Sequence, residues 1–185
     1  MTVKPMTTTF GKAIYPHLSR PDYAFGNTNG KYHVVLEVSE DEAKDHIECI
    51  NNVIKDIVVE EHKKNGNKEV KRAPLPYKHV DGKVHLSFKM TASGINSKTK
   101  QPFTQKPKIF DHNLDPIDPE KNIWGDSILR ITYQPFGYNN SAIGVGCTLR
   151  LKEVQVKHLV EGNGGGSNFT KVDPGTTTDG KVAHF

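Results

Sequence analysis

Hydrophobic and polar residues alternate without interruption through the stretch KVHLSFKMTA, residues 83–92. Successive side chains of a β-strand point to opposite faces of a sheet, so the alternation predicts a strand with one apolar and one polar face. The apolar face collects Val84, Leu86, Phe88, Met90 and Ala92. The polar face is basic and collects Lys83, His85, Ser87, Lys89 and Thr91.

Five other alternating or apolar stretches predict further strands. They cover residues 10–16, 31–38, 108–111, 127–136 and 143–160. The first is expected to end at Pro16, because proline cannot donate a ladder hydrogen bond. In the last, the apolar positions change phase, which predicts a one-residue bulge near Lys152 and Glu153.

The period of the pattern changes to about 3.6 residues after residue 38, which predicts a helix. Ser39 and Glu42 have the spacing of a capping box at its start. Its apolar stripe consists of Ala43, Ile47, Ile50, Ile54, Ile57 and Val58. The helix is expected to end near residue 63, because Asn65 and Gly66 are stop signals.

These elements predict a mainly β fold. Strands and helices do not alternate regularly, which argues against a doubly wound parallel sheet. We expect an OB-fold-like, partly open antiparallel barrel of five to six strands, with one substantial inserted α-helix and long loops. Residues 1–160 would form this domain. Residues 161–185 are rich in glycine, serine, threonine and asparagine, and they predict a flexible C-terminal tail.

Length and composition restrict the class of protein. A chain of 185 residues with 25% charged residues suits one compact domain plus a tail. It has no apolar run of about 18–20 residues and no signal-peptide pattern, so we expect a cytoplasmic protein without membrane contact. Cys49 and Cys147 are expected to be reduced core residues.

Positive charge is concentrated in one part of the chain. Residues 37–61 contain nine acids and two lysines, whereas residues 63–108 contain twelve Lys or Arg and two acids. This asymmetry favours an anionic polymer as partner, although a solvated basic surface would have the same composition.

Enzymatic chemistry has one candidate segment. Asp111, Asp115 and Asp118 offer three carboxylates for Mg²⁺, which leaves a metal-dependent nuclease as an alternative. Aspartate before proline is also a common way to start a turn, and a turn is the expected role of this segment. The scattered histidines and cysteines do not have zinc-site spacing, so neither a metal nor another cofactor is predicted.

Nucleic-acid binding accounts for more of the pattern, because single strands are held by cations along a groove and by aromatic rings that stack on bases. The stretch QPFGYNN, residues 134–140, is expected to be a loop that presents two rings. Trp124, Phe88 and Phe110 are expected in the core. The candidate nucleic-acid-binding residues are Lys83, His85, Lys89, Lys98, Lys100, Phe103, Arg130, Tyr133, Phe136, Tyr138, Arg150 and Lys152.

Three segments in a fixed order carry a family resemblance. They are GKAIYPHLSRPDYAFGNTNGKYHVVLEV, KPKIFDHNLDPIDPEKNIWGDSILRITYQPFGYNN and IGVGCTLRLKEVQVKHLV. Together they resemble the single-stranded DNA-binding proteins of tailed bacteriophages, of the short-tailed phage type. The likeness covers about residues 10–160. It implies an OB-fold that coats unpaired DNA, largely independent of sequence and without catalysis, during phage DNA replication and recombination.

The resemblance also implies partners and a location. It implies the cytoplasm of the infected bacterial host, a homodimer, and a tail whose terminal Phe185 docks on replication proteins such as a polymerase or a helicase-primase. The tails of this family are usually strongly acidic, whereas this one has only Asp173 and Asp179 near its end.

Besides a DNA-binding protein and a nuclease, a third class of protein is open: a virion or scaffold protein with a β-sandwich. In such a protein the basic segment would have no role.

Overall fold

The computed structural model describes residues 3–66, 68–118 and 120–161. Its elements in chain order are β1 (Met6–Thr7), β2 (Gly11–Asp22), a short 3₁₀ turn (Ala24–Gly26), β3 (Lys31–Ser39), α1 (Glu40–Asn65), β4 (Tyr77–Val80), β5 (Lys83–Thr91), β6 (Ser93–Ile95), β7 (Pro102–Thr104), β8 (Lys108–Phe110), β9 (Ile128–Asn140) and β10 (Gly144–His158).

Strand pairing runs around a ring in the order β9, β2, β3, β5, β10 and back to β9. Two junctions of the ring are short, because β2 pairs β9 and β10 pairs β5 through only two residue pairs each. The prediction of a mainly β, OB-fold-like and partly open barrel with an inserted helix is therefore confirmed. The predicted antiparallel pairing does not hold throughout, because β10 runs parallel to β5 and β8.

The core lies inside this ring, on the apolar phase of each strand. The alternation of residues 83–92 is confirmed, because Val84, Leu86 and Phe88 are fully buried. The Phe88 ring packs edge-on against Tyr133 of β9, with 5.0 Å between ring centroids. The phase of each strand leaves the opposite, polar set of side chains on the outside of the barrel.

Helix α1 closes one side of the core. It begins where predicted and ends at Asn65, two residues beyond the predicted end. The Ser39 hydroxyl accepts a hydrogen bond from the Glu42 backbone, and the Glu42 carboxylate accepts one from the Ser39 backbone. Gly66 ends the helix in a left-handed conformation. On its inner side, the helix approaches β9 at Gly137, where an added Cβ would lie 2.7 Å from a Val53 methyl carbon.

Strand β2 differs from the prediction because it continues through Pro16 to Asp22. The register of β2 on β3 shifts between Ile14 and His17. Pro16 therefore lies in an irregular part of the strand, where its missing N–H costs no regular ladder hydrogen bond.

The segment 134–140 is strand, not loop, so that prediction is wrong. These residues extend β9 and pair with residues 144–150 of β10. The predicted bulge in β10 is confirmed by the register shift between Leu151 and Glu153. Trp124 was expected in the core but is 51% exposed, because the neighbouring Ile123 takes the buried position. Phe110 is half-buried.

Mild acid is expected to destabilise the fold through His46. This imidazole is buried, with its Nδ1 2.7 Å from the Tyr133 hydroxyl oxygen. Burial lowers the pKa of His46 below its ordinary value of 6.5. The unfolded chain therefore takes up the proton first as pH falls. The free energy of unfolding should decline below about pH 6.5, by at most about 1.4 kcal/mol per pH unit from this group.

Urea unfolding at pH 7.5, 6.5 and 5.5 measures this decline. A His46→Gln variant should have a smaller decline than the wild type, whereas His112→Ala, at an exposed histidine, should keep the wild-type pH dependence. Equal pH dependence in the His46→Gln variant and the wild type would show that burial of His46 is not a source of the effect.

Candidate nucleic-acid interface

Polar and cationic side chains form a row across the outer face of the barrel. His33 of β3 lies opposite Lys89 of β5, and Lys89 lies beside Arg150 of β10. Arg150 in turn lies opposite Gln134 of β9. Neighbouring strands are about 4.8 Å apart, so these four strands bring residues distant in sequence onto one continuous surface.

The β6–β7 hairpin and this outer face together line a groove of about 750 Å³. We call it the basic groove. Its lining includes five cations, namely Lys31, Lys89, Lys98, Arg150 and Lys152. No carboxylate is among the described residues that line it. Charge of one sign in a concave surface concentrates the field, so the basic groove favours an anionic chain.

Two aromatic rings accompany the cations of the basic groove. Phe103 lies on β7, and Phe136 lies on β9 with 41% of its surface exposed. The guanidinium carbon of Arg150 is 3.3 Å from the centroid of the Phe136 ring, which is a cation–π contact. Arg150 thus covers one face of the Phe136 ring and helps to hold the ring in its orientation.

Two cations of the basic groove, Lys89 and Arg150, are exposed to solvent but are partly surrounded by other protein groups. Burial, with a smaller contribution from the charge of Lys31, lowers the pKa of Lys89. Burial also lowers the pKa of Arg150. Both shifts mean that the surroundings disfavour the charged forms, and a phosphate in the groove would compensate for this cost.

Local hydrogen bonds hold the hairpin that forms one wall. The Asn96 side-chain oxygen accepts from the backbone N–H groups of Lys98 and Thr99. The Ser93 backbone N–H and hydroxyl both donate to the Asn29 carbonyl, which ties β6 to the loop before β3. The turn that carries Lys98 is therefore braced at its tip and at its base.

Six of the candidate residues line the basic groove: Lys89, Lys98, Phe103, Phe136, Arg150 and Lys152. Arg150 and Lys152 come from β10, and Lys89 comes from the alternating strand β5. The hairpin contributes Lys98 and Phe103. The structure places the other six elsewhere.

Tyr133 is the clearest correction. It was predicted to contact nucleic acid, but it is fully buried, so that prediction is wrong. Tyr133 lies on the inner phase of β9, where its hydroxyl contacts His46 and its ring packs on Phe88. Burial also raises the pKa of Tyr133.

Arg130, His85 and Lys83 lie outside the basic groove. The Arg130 Nε donates to Gln155 at 2.8 Å, and its guanidinium lies 5.0 Å from the Phe10 ring centroid. The Nε2 of His85 is 3.0 Å from a Glu37 carboxylate oxygen. Lys83 is exposed at the opposite end of β5, roughly 20 Å along the strand from Lys89 at about 3.4 Å per residue.

Tyr138 and Lys100 also lie apart from the groove lining. The Tyr138 ring packs over Gly146, where an added Cβ would lie 2.6 Å from the hydroxyl oxygen. Lys100 is exposed in the β6–β7 turn and has a left-handed backbone with φ 59°. Its backbone N–H donates to the Asn96 carbonyl.

Lys31, Thr148 and Ile95 line the basic groove but were not predicted site residues. Lys31 has a recognisable signal, since it shares the outward phase of β3 with His33. What was missing is the register that places Lys31 opposite Thr91 of β5. Ile95 could not be recognised in this way, because β6 has only three residues and is too short for an alternation of apolar and polar residues to be seen.

The Asp111–Asp118 segment is built as a pair of turns. The Asp111 Oδ1 accepts from the backbone N–H groups of Asn113 and Asp115, and the Asp118 Oδ1 accepts from Glu120. Within the described parts of the chain, these carboxylates are not among the groups that converge closely enough to share a metal ion. The carboxylates of Asp111 and Asp118 thus have a structural role in these turns.

A family comparison identifies the chain. Residues 11–159 match the family described as "Single-stranded DNA-binding protein, Bacteriophage T7". The chain belongs to this family. Its matched region contains every residue that lines the basic groove. None of the curated protein sequences matches the chain significantly.

Solved structures of two other phage proteins agree with the fold. The crystal structure of gp2.5, a single-stranded DNA-binding protein encoded by bacteriophage T7, superposes with a TM-score of 0.75 at 26% identity, covering 86% of this chain and 94% of that one. The single-stranded DNA-binding protein from bacteriophage Enc34 in complex with ssDNA has a TM-score of 0.55 at 16% identity, covering 85% of this chain and 88% of that one.

The C-terminally truncated form of the Enc34 protein has a TM-score of 0.57 at 18% identity, covering 85% of this chain and 87% of that one. The Enc34 comparisons bear on the fold alone. Among the described residues, no helix has both the length and the apolar character required to cross a membrane.

Proposed function

We propose that this family member binds single-stranded DNA along the basic groove. The main support is the composition of the groove, which combines five cations and two rings and has no carboxylate among the described residues that line it. Family membership supports the same function. A solved structure of the Enc34 protein, which has a similar fold, contains ssDNA.

The chemistry of the groove suggests how binding works. Phosphates would contact Lys31, Lys89, Lys98, Arg150 and Lys152, and bases would stack on Phe103 and Phe136. Every base has a π-face, so stacking tolerates any sequence. Cations that contact the backbone also carry no sequence information. The groove is therefore suited to coating unpaired DNA with little sequence preference.

Titration of a fluorescent, unstructured oligonucleotide at several salt concentrations tests this proposal. If all five cations each neutralise one phosphate, the logarithm of affinity should fall linearly with the logarithm of salt, with a slope of about −3.5, from about −0.7 per phosphate. Duplex DNA of the same length should bind more weakly. Binding without salt dependence, or equal affinity for duplex, would contradict the proposal.

Loss of the Phe136 ring is expected to weaken single-strand binding by about 1–3 kcal/mol, the contribution of one stacked base. Phe136→Trp should retain most of the affinity because it keeps a ring. Trp124→Ala is the matched control, since Trp124 is also an exposed ring but lies outside the basic groove. The same titration measures all three variants. Equal losses for Phe136→Ala and Trp124→Ala would contradict a specific stacking site.

The wider role remains part of the proposal. We propose that the protein acts without catalysis, in phage DNA replication and recombination, in the cytoplasm of the infected host. Residues 161–185 are proposed as a separate tail whose Phe185 docks on a polymerase or helicase-primase. Almost all of that tail, and Phe185 itself, lies outside the described residues. Truncation after Glu161 should leave single-strand binding intact and abolish binding to such a partner. The proposed homodimer is tested separately, by measuring the mass of the protein in solution by sedimentation.

A further inference from the structure

We propose that His17, Asp22 and His33 form a binding site for one divalent transition-metal ion, with Zn²⁺ the best match. Each side chain offers one ligand atom, and these three atoms all lie within 4.8 Å of one another. Two imidazoles and one carboxylate suit Zn²⁺ or Co²⁺ better than Mg²⁺ or Ca²⁺, which prefer oxygen ligands only.

The irregular course of β2 creates this cluster. The last two residue pairs between β2 and β3 are His17 with His33 and then Asp22 with Lys31. Five steps along β2 thus correspond to two along β3, so three extra residues are absorbed between the two pairs. A regular strand would place His17 and Asp22 about 17 Å apart. The extra residues instead fold Asp22 back toward His33.

Asp22 and His33 already hold a pair of ligand atoms at a distance that suits a shared ion, and the ligand atom of His17 lies within 4.8 Å of both. The Asp22 Oδ1 accepts from the Ala24 backbone N–H at 2.8 Å, which leaves Oδ2 at 3.2 Å from the His33 Nε2. Ligands about 2.0–2.1 Å from a tetrahedral Zn²⁺ are separated by roughly 3.3 Å, close to this distance. The His17 and His33 rings lie side by side, with centroids 4.6 Å apart.

The position of the cluster suggests an effect on DNA, and this step rests on the proposed function. His33 lies opposite Lys89, and Asp22 lies opposite Lys31, so the cluster adjoins two cations of the basic groove. A bound ion would add two positive charges there. Three protein ligands leave a fourth position, as in open zinc sites, that a phosphate oxygen can take.

Calorimetric titration of the tag-free full chain with ZnCl₂, in the absence of DNA, tests the site directly. We expect saturable binding of one ion per chain, and a visible absorption band when Co²⁺ replaces Zn²⁺. Affinity should fall at least tenfold in both His17→Ala and Asp22→Asn. The His112→Ala variant removes an exposed histidine elsewhere and should bind like the wild type.

The choice of variants guards against unfolding. His17 is exposed, so its truncation leaves the core intact, and circular dichroism verifies the fold. Undiminished Zn²⁺ affinity in folded His17→Ala and Asp22→Asn, or the absence of saturable binding by the wild type, would overturn the proposed site.

Oligonucleotide titration with and without equimolar Zn²⁺ tests the consequence for DNA. Zn²⁺ should increase the affinity of the wild type and leave that of His17→Ala unchanged. If Zn²⁺ binds but DNA affinity does not rise, the charge argument is wrong while the ion site stands. If the metal-free protein does not bind DNA at all, the proposed function is wrong, whereas ion binding measured without DNA is unaffected.

Discussion

Replacing Lys89 and Arg150 together by glutamine is expected to weaken binding to single-stranded DNA by about 2–4 kcal/mol, or roughly 30- to 1,000-fold. The two cations are neighbours across β5 and β10 and line the same groove. Each is expected to form a charge-assisted contact with phosphate. Arg150 also orients the Phe136 ring, so its loss should weaken base stacking as well.

The salt dependence should change with the affinity. Removing two phosphate contacts should make the slope less steep by about 1.4, at about 0.7 per contact. Oligonucleotide titrations of the double variant and the wild type at four or more salt concentrations measure both quantities. Glutamine keeps much of the side-chain length, so the fold should be retained.

The matched control is Lys83→Gln combined with Arg130→Gln. This double variant also removes one lysine charge and one arginine charge. Lys83 belongs to the same strand as Lys89, β5. Neither residue lines the basic groove, so the affinity should change by much less than in the first variant. Equal losses in the two double variants would mean that total charge, rather than the basic groove, governs binding.

Phe88→Ala is expected to reduce the free energy of unfolding by about 3–5 kcal/mol. Phe88 is fully buried at the centre of the ring of strands and packs against Tyr133. Alanine would leave a cavity that the surrounding strands cannot readily fill, because β5 is hydrogen-bonded to β3 along one edge and to β4 and β10 along the other. For a chain of this size the melting temperature should fall by roughly 6–20 °C.

Phe136→Ala is the matched comparison on the outside of the same barrel. It deletes the same atoms from a ring that is 41% exposed, so it should reduce stability by much less than Phe88→Ala. Its main effect should be on single-strand affinity. Urea unfolding and oligonucleotide titration of both variants should therefore give opposite rankings. A loss of stability in Phe136→Ala as large as that in Phe88→Ala would contradict this division between core and groove.

Stability and binding are separated in this fold by the two faces of the same strands. The inner phase of β5 carries Phe88, and its outer phase carries Lys89. In β9, the inner phase carries Tyr133 and the outer phase carries Phe136. Because adjacent residues point to opposite faces, a one-residue shift of register would exchange core and groove.

The local elements could be predicted from the amino-acid sequence. Alternation defines β5 and its two faces, and the capping box and Gly66 define the ends of α1. The change of phase near Lys152 located the bulge in β10. Each of these features depends on residues close together in the chain, where steric and hydrogen-bonding preferences are read directly from neighbours.

Which outward-facing residues lie together became clear only from the packing of the strands. Arg130 and Arg150 are both basic strand residues, yet only Arg150 lines the groove, because cross-strand register places it beside Lys89. Strand register also brings Lys31 to the groove and Asp22 to His33. Register depends on contacts between residues far apart in sequence, so no local pattern of hydrophobic and polar positions contains it.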